Sequence, residues 1–276
     1  MKRRSFLKIA GGLAALSAAQ ERNLFAADSS AETKDNAMRI DRKQLQARNR
    51  NRSTVPCTHG VVCTSQPLAS IAGLEILKRG GNAIDAAVCA NAMLSLVEPM
   101  MCGPGGDLFA IVWIEKEKRL FGLNASGRAP LDWSLDAVKK EGLEELPIRG
   151  PLSWSVPGCV SGWAALLKRF GRIQPQAVLE PVIQYAREGF PVSPIVARDW
   201  GFDPKEFPTL AEVFMPGGRA PRFGEIFRNP GLADFFEILA RDGARAFYEG
   251  EIAERIVAFS KEHGGRFAMR DFQNHT

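Results

Sequence analysis

The sequence predicts an α+β fold in which helices pack on an antiparallel sheet. Two apparent strands, residues 107–114 and 119–123, follow one another across a short charged turn and read as a hairpin. The helices flanking them are apolar. No regular alternation of strand and helix appears, which argues against a doubly wound sheet. The 276 residues, 45% hydrophobic and 24% charged, suffice for one or two domains with a sizeable core.

The first 19 residues stand apart. Arg3-Arg4-Ser5-Phe6-Leu7-Lys8 looks like a twin-arginine export signal, followed by a weakly apolar run over 9–19. That run is shorter than the roughly 20 residues a membrane span needs, so no stable span is expected. Ser17-Ala18-Ala19 places small residues where a signal peptidase would cut. The address this signal carries is the periplasm or the cell exterior. Residues 20–54 have few apolar side chains and no period. They are expected to form a polar linker, with Arg39, Arg42, Lys43, Arg48, Arg50 and Arg52 as a solvated basic tether. The folded part is then 55–276.

Residues 65–130 organise that part. Pro67 suits the first turn of a helix. Leu68, Ile71, Leu74 and Leu77 recur at helical spacing until Gly80-Gly81 ends the run. Asn82 is placed to cap the next helix, with Asp85 favoured in its first turn by the helix dipole. From 83 to 97 that helix is almost wholly apolar and carries Ala86, Ala87, Ala90 and Ala92, so it should be buried. Glu98-Pro99 stops it. The glycine loop Gly103-Pro104-Gly105-Gly106 leads into the hairpin.

The second half has weaker signals. Residues 141–151 read as a mixed-charge loop and 153–156 as a short strand broken by Pro157-Gly158. Amphipathic helices are expected over 160–170 and 176–188, ending at Gly171 and Gly189. The Gly-, Pro- and Phe-rich stretch 210–229 should be irregular. Helices follow over 232–241 and 252–263.

Composition excludes several functions. The formal charge of +5 is carried by the N-terminus: Lys2, Arg3, Arg4 and Lys8 supply four charges, and 20–54 holds eight basic against five acidic side chains. The body is left at −2, with no electrostatic footprint for nucleic acid. The glycine loop lacks the Lys-Ser or Lys-Thr of a phosphate-binding loop. The histidines, His59, His263 and His275, form no ligand set, so neither metal nor cofactor is expected. The cysteines, Cys57, Cys63, Cys89, Cys102 and Cys159, contain no Cys-x-x-Cys pair; a Cys57–Cys63 disulfide stays open. His59 near Cys57 and Cys63 is a weak case for a thiol nucleophile.

The order of motifs resembles the gamma-glutamyltransferase family. The residues that carry this are Ile76 to Val88 (ILKRGGNAIDAAV), the glycine loop and its strand, and the hairpin ending in Ala129-Pro130. Val156-Pro157-Gly158, Tyr185 to Phe190, and Phe247 to Ala253 continue it, so the likeness covers roughly 60–272. It implies part of the four-layer αββα sandwich of the N-terminal-nucleophile hydrolases. It also implies a precursor that cuts itself, and a small subunit whose N-terminal Thr attacks an amide such as glutathione, with its own amine as base. That Thr is normally followed by Thr or Ser and then His, which occurs nowhere here. Thr276 follows Met269-Arg270-Asp271-Phe272, a stretch well upstream of the family's cleavage point, and is expected to be an arbitrary end. The chain is therefore expected to be an incomplete large subunit with no catalytic residue of its own.

The same resemblance assigns substrate residues. Family hairpins end Arg-Glu-x-Ala-Pro, and the Arg grips the α-carboxylate of the γ-glutamyl group, as a bidentate guanidinium can. Here Ser126-Gly127-Arg128-Ala129-Pro130 puts Ser126 at the clamp position and Arg128 two residues on. Two residues along a strand keep the same face, so Arg128 either takes over the grip or is a solvated turn residue. Gly103, Gly105 and Gly106 are implied to lie near the pocket. The first expectation is thus a gamma-glutamyltransferase or glutathione hydrolase. The Ser126 change raises a related amidohydrolase of another small acyl or oxo-acid amide, and a non-catalytic binding protein is the rival from a different class.

Overall fold

The computed structural model describes residues 55–205 and 208–275, and Cys57–Thr276 forms one compact unit. The export signal with Arg3 and Arg4, the linker over 20–54, and Thr276 lie outside the described residues. Helices dominate. They are α1 (Pro67–Lys78), α2 (Ala83–Val97), α3 (Leu135–Lys140), α4 (Cys159–Phe170), α5 (Pro175–Glu188) and α6 (Pro194–Asp199). They continue with α7 (Pro208–Phe214), α8 (Pro230–Asp242), α9 (Ala244–Glu249), α10 (Glu251–Glu262) and α11 (Met269–Gln273). Strands β1 (Leu108–Ile114) and β2 (Arg119–Ala125) form an antiparallel hairpin in the register Leu108↔Ala125 to Ile114↔Arg119. A second antiparallel pair joins β3 (Phe190–Pro191) to β4 (Ile226–Phe227).

The turn between α1 and α2 shows how local chemistry sets the packing. Asn82 Oδ1 accepts the N–H groups of Ile84 and Asp85, and Asp85 returns a carboxylate oxygen to the Asn82 N–H, 2.8 Å away. This capping box satisfies orphan donors of α2. The Asn82 side-chain amide also donates to Phe170 O at the C-terminal end of α4, and Asp85, fully buried, accepts the Arg172 N–H at 3.1 Å. One Asn-x-x-Asp pair thus ties the start of α2 to the end of α4. Helix α2 lies at the centre, packed against α1, α4 and α5, with Val88, Cys89, Ala92, Met93 and Leu96 inside. The core continues to Phe190, Phe236 and Phe272, each without exposed surface. Each of those rings contributes about 1.5–3 kcal/mol of burial.

The expected helices appear within a residue or two, and the hairpin runs two residues further, to Ala125. Two expectations need correction, and helices α3 and α6 were not expected. Residues 153–156 are not a strand: Pro151–Ser153 is a 3-10 turn, and Val156 lends only its N–H, to Arg128 O. The stretch 210–229 is not wholly irregular, since it contains the end of α7 and the strand β4. Helices α3 and α6 arise from Ser134 and Ser193 acting as N-caps, which the sequence reading passed over.

Candidate functional site

The end of β2, the glycine loop and the start of α4 meet at one place. Gly106 N–H closes a turn onto Gly103 O at 3.1 Å. Gly106 O in turn accepts the N–H of Gly158 at 3.1 Å and of Cys159 at 2.9 Å. Helix α4 has no side-chain cap, so these orphan donors find their partner in the glycine loop. Beyond Ala125 the chain stays pinned: the Ser126 N–H donates to Asn124 Oδ1, the Gly127 N–H to Asp107 Oδ1, and the Val156 N–H to Arg128 O. The two backbones touch. A Cβ on Gly127 would fall 1.6 Å from Val156 O, and one on Gly158 would fall 2.1 Å from Ala125 O. Only glycine fits at these two contacts.

Behind this junction lies a buried polar network. Tyr248 Oη donates to Pro157 O at 2.7 Å and accepts the Ser161 N–H at 3.0 Å. Ser161 Oγ donates to Gly158 O, so its bond of 2.9 Å to His275 is one in which Nε2 donates. The His275 ring stacks on Tyr248 with centroids 4.8 Å apart. Its Nδ1 is buried with no hydrogen-bond partner among the described residues. Burial first, and then the positive charge of Arg128, hold the His275 pKa below its ordinary value. Burial likewise pushes the Tyr248 phenol up, against hydrogen bonding with Ser161. Asp271 braces the other side: one carboxylate oxygen accepts the Leu131 N–H at 3.0 Å, the other the Ala268 N–H at 2.7 Å.

The structure therefore brings Gly106, Ser126 and Arg128 to one junction. Arg128 is exposed, and Gly103 and Gly105 have open space beside them. Asp107, Tyr248, Asp271 and His275 were not singled out from sequence as parts of a site. Tyr248 and Asp271 stood inside motifs quoted only for the resemblance, and His275 was weighed only as a metal ligand. No thiol chemistry is indicated at the buried Cys89 and Cys159, which burial raises to about 12, or at the half-buried Cys102, raised to about 11. Among the described residues all five cysteines are free of disulfides, with Cys57 and Cys63 exposed, and His59 bonds Thr58. No group of three His, Cys, Asp or Glu residues there is arranged to hold a metal, and no helix there is long and apolar enough to cross a membrane.

The family model for gamma-glutamyltranspeptidase matches residues 69–276. A glutathione hydrolase-like YwrD proenzyme from Bacillus subtilis is 39% identical over 222 residues, 79% of this chain and 42% of its own length. An oxamate amidohydrolase proenzyme from Klebsiella pneumoniae is 37% identical over 227 residues, 79% of this chain and 42% of its own. The crystal structure of cephalosporin acylase from Bacillus halodurans superposes with a TM-score of 0.73 at 41% identity, covering 81% of this chain and 45% of that one. The chain spans less than half the length of these relatives. With three-quarters of its residues inside the family model and its α+β core matched by a solved relative, the chain belongs to the gamma-glutamyltranspeptidase family, among the N-terminal-nucleophile hydrolases.

Proposed function

We propose that this chain is the substrate-side segment of an exported amidase, and that Arg128 holds an anionic group of the donor. The donor amide is attacked by an N-terminal Thr that lies outside this chain. The acyl-enzyme is then resolved by water or by an amine. A γ-glutamyl compound such as glutathione is the first candidate donor. The observation that carries this reading is the junction itself: the only cation of the Ser126–Pro130 stretch sits where the glycine loop and the end of β2 are locked together. A carboxylate buried without a cationic partner would cost several kcal/mol, so an anionic donor needs such a group. Export rests on Arg3 and Arg4.

A second reading has its own support. Ser126 replaces the family's usual clamp, and one relative is named for oxamate, a smaller and differently shaped anion. The two readings separate in a single assay of the complete enzyme, comparing γ-glutamyl-p-nitroanilide with oxamate. A large preference in kcat/KM for the first supports glutathione hydrolase chemistry. The reverse preference supports an oxo-acid amidase, and hydrolysis of neither contradicts the amidase reading.

A further inference from the structure

We propose that Tyr248 is a positioning residue for the Arg128 clamp and sets the preference for anionic donors. The proposal rests on the reading of Arg128 given above. Arg128 is fixed to the fold through its backbone: its carbonyl accepts the Val156 N–H at 2.9 Å, and the neighbouring Gly127 lies directly against Val156 O. The placement of the guanidinium thus depends on where the Val156–Cys159 turn sits. From the front, the Gly158 and Cys159 N–H groups hold that turn to Gly106 O. From behind, Tyr248 Oη holds it, through Pro157 O at 2.7 Å and the Ser161 N–H at 3.0 Å, alongside the Ser161 Oγ bond to Gly158 O.

The phenol is well suited to this. It bonds once as donor and once as acceptor, so both of its roles are committed to the turn. Its ring is buried and wedged between Phe247, with centroids 4.8 Å away, and the stacked His275. Residues on α9, far along the chain from the hairpin, therefore set the position of a loop that carries the substrate cation. Tyr248 touches no substrate in this account; it acts through the turn and Arg128.

The test uses the complete enzyme and two donors. One is γ-glutamyl-p-nitroanilide, and the other is 4-aminobutyryl-p-nitroanilide, the same amide without the α-carboxylate. Tyr248→Phe removes both bonds with little change of shape. It should lower the ratio of kcat/KM between the two donors about tenfold, the equivalent of one net hydrogen bond. The loss should appear in KM for the anionic donor. In an Arg128→Ala background, Tyr248→Phe should change the ratio less than about twofold, because the group it positions is gone. A purely structural role would lower both donors together and leave the ratio unmoved, which overturns the proposal. So does a drop in the ratio that persists in the Arg128→Ala background. If Arg128→Ala alone leaves the ratio unchanged, the clamp reading itself has failed and the proposal falls with it. Should Tyr248→Phe not mature, 3,5-difluorotyrosine at position 248 keeps the ring and alters the strength of both phenol bonds, and so carries the same test. A smaller shift in the same ratio is expected, and an unchanged ratio overturns the proposal.

Discussion

Asp85 has no exposed surface and spends both carboxylate oxygens on backbone N–H groups, those of Asn82 and Arg172. Truncation would take the shared acceptor from the Asn82 and Arg172 N–H groups and leave a void at a fully buried position. Asp85→Ala in the complete enzyme should therefore cost about 2–4 kcal/mol in urea unfolding, with a smaller loss for Asp85→Asn, which keeps acceptor capacity. Arg128 predicts differently. Arg128→Ala should leave stability nearly unchanged, since the side chain is exposed. It should cost roughly 2–4 kcal/mol in kcat/KM for an anionic donor, as removal of a charge-assisted partner does. If Arg128→Ala is silent, Ser126→Arg should improve γ-glutamyl turnover by restoring the family's clamp. His275 gives a pH dependence. Its pKa in the fold lies below the ordinary value of 6.5, so below pH 6.5 the unfolded chain binds a proton the folded ring resists. The stability tied to His275 is full above that value and is lost as pH falls toward the lowered one. Unfolding measured across this range should be flatter for His275→Gln than for the native chain.

At the scale of elements, the hairpin is two-faced. Phe109, Ile111, Trp113 and Leu120 share one side of it and are 65%, 81%, 53% and 61% exposed, while the opposite side packs on α4. An apolar sheet face of this kind suits a second sheet stacked upon it, as a four-layer sandwich would supply. Phe109→Ser with Ile111→Ser should reduce self-association of the isolated 276-residue chain in light scattering, yet lower the yield of active complete enzyme. An unchanged or raised yield of active complete enzyme would contradict the stacking. Which elements were legible in the sequence follows from where their signals lie. Helices α1 and α2 announce themselves locally, through Pro67, Gly80-Gly81 and Asn82, and were placed almost to the residue. The pairing of Phe190–Pro191 with Ile226–Phe227 joins residues 37 and 35 apart and is two residues long, with no periodicity to betray it. Residues 153–156 look like a strand by composition, but no strand among the described residues pairs with them. The site was half legible for the same reason. Ser126, Arg128 and the glycines sit in contiguous motifs. Tyr248, Asp271 and His275 reach the junction only through tertiary packing, across 91, 140 and 114 residues of sequence.

For the whole molecule, the proposed export signal and the proposed location of the nucleophile outside this chain are tested separately. Replacing Arg3 and Arg4 together by Lys should leave the precursor in the cytoplasm, because a receptor reads the arginine pair rather than the hydrophobicity that follows. Fractionation showing normal export of the double-Lys variant would point to general secretion instead. The central claim is that this chain supplies the substrate side of an amidase whose nucleophile lies elsewhere in the complete protein. The most direct measurement is hydrolysis of γ-glutamyl-p-nitroanilide by the purified 276-residue chain beside the complete enzyme. The account predicts turnover by the complete enzyme and release of p-nitroaniline by the chain alone no faster than in a no-protein control. Turnover by the chain alone would place a nucleophile within these residues and contradict it.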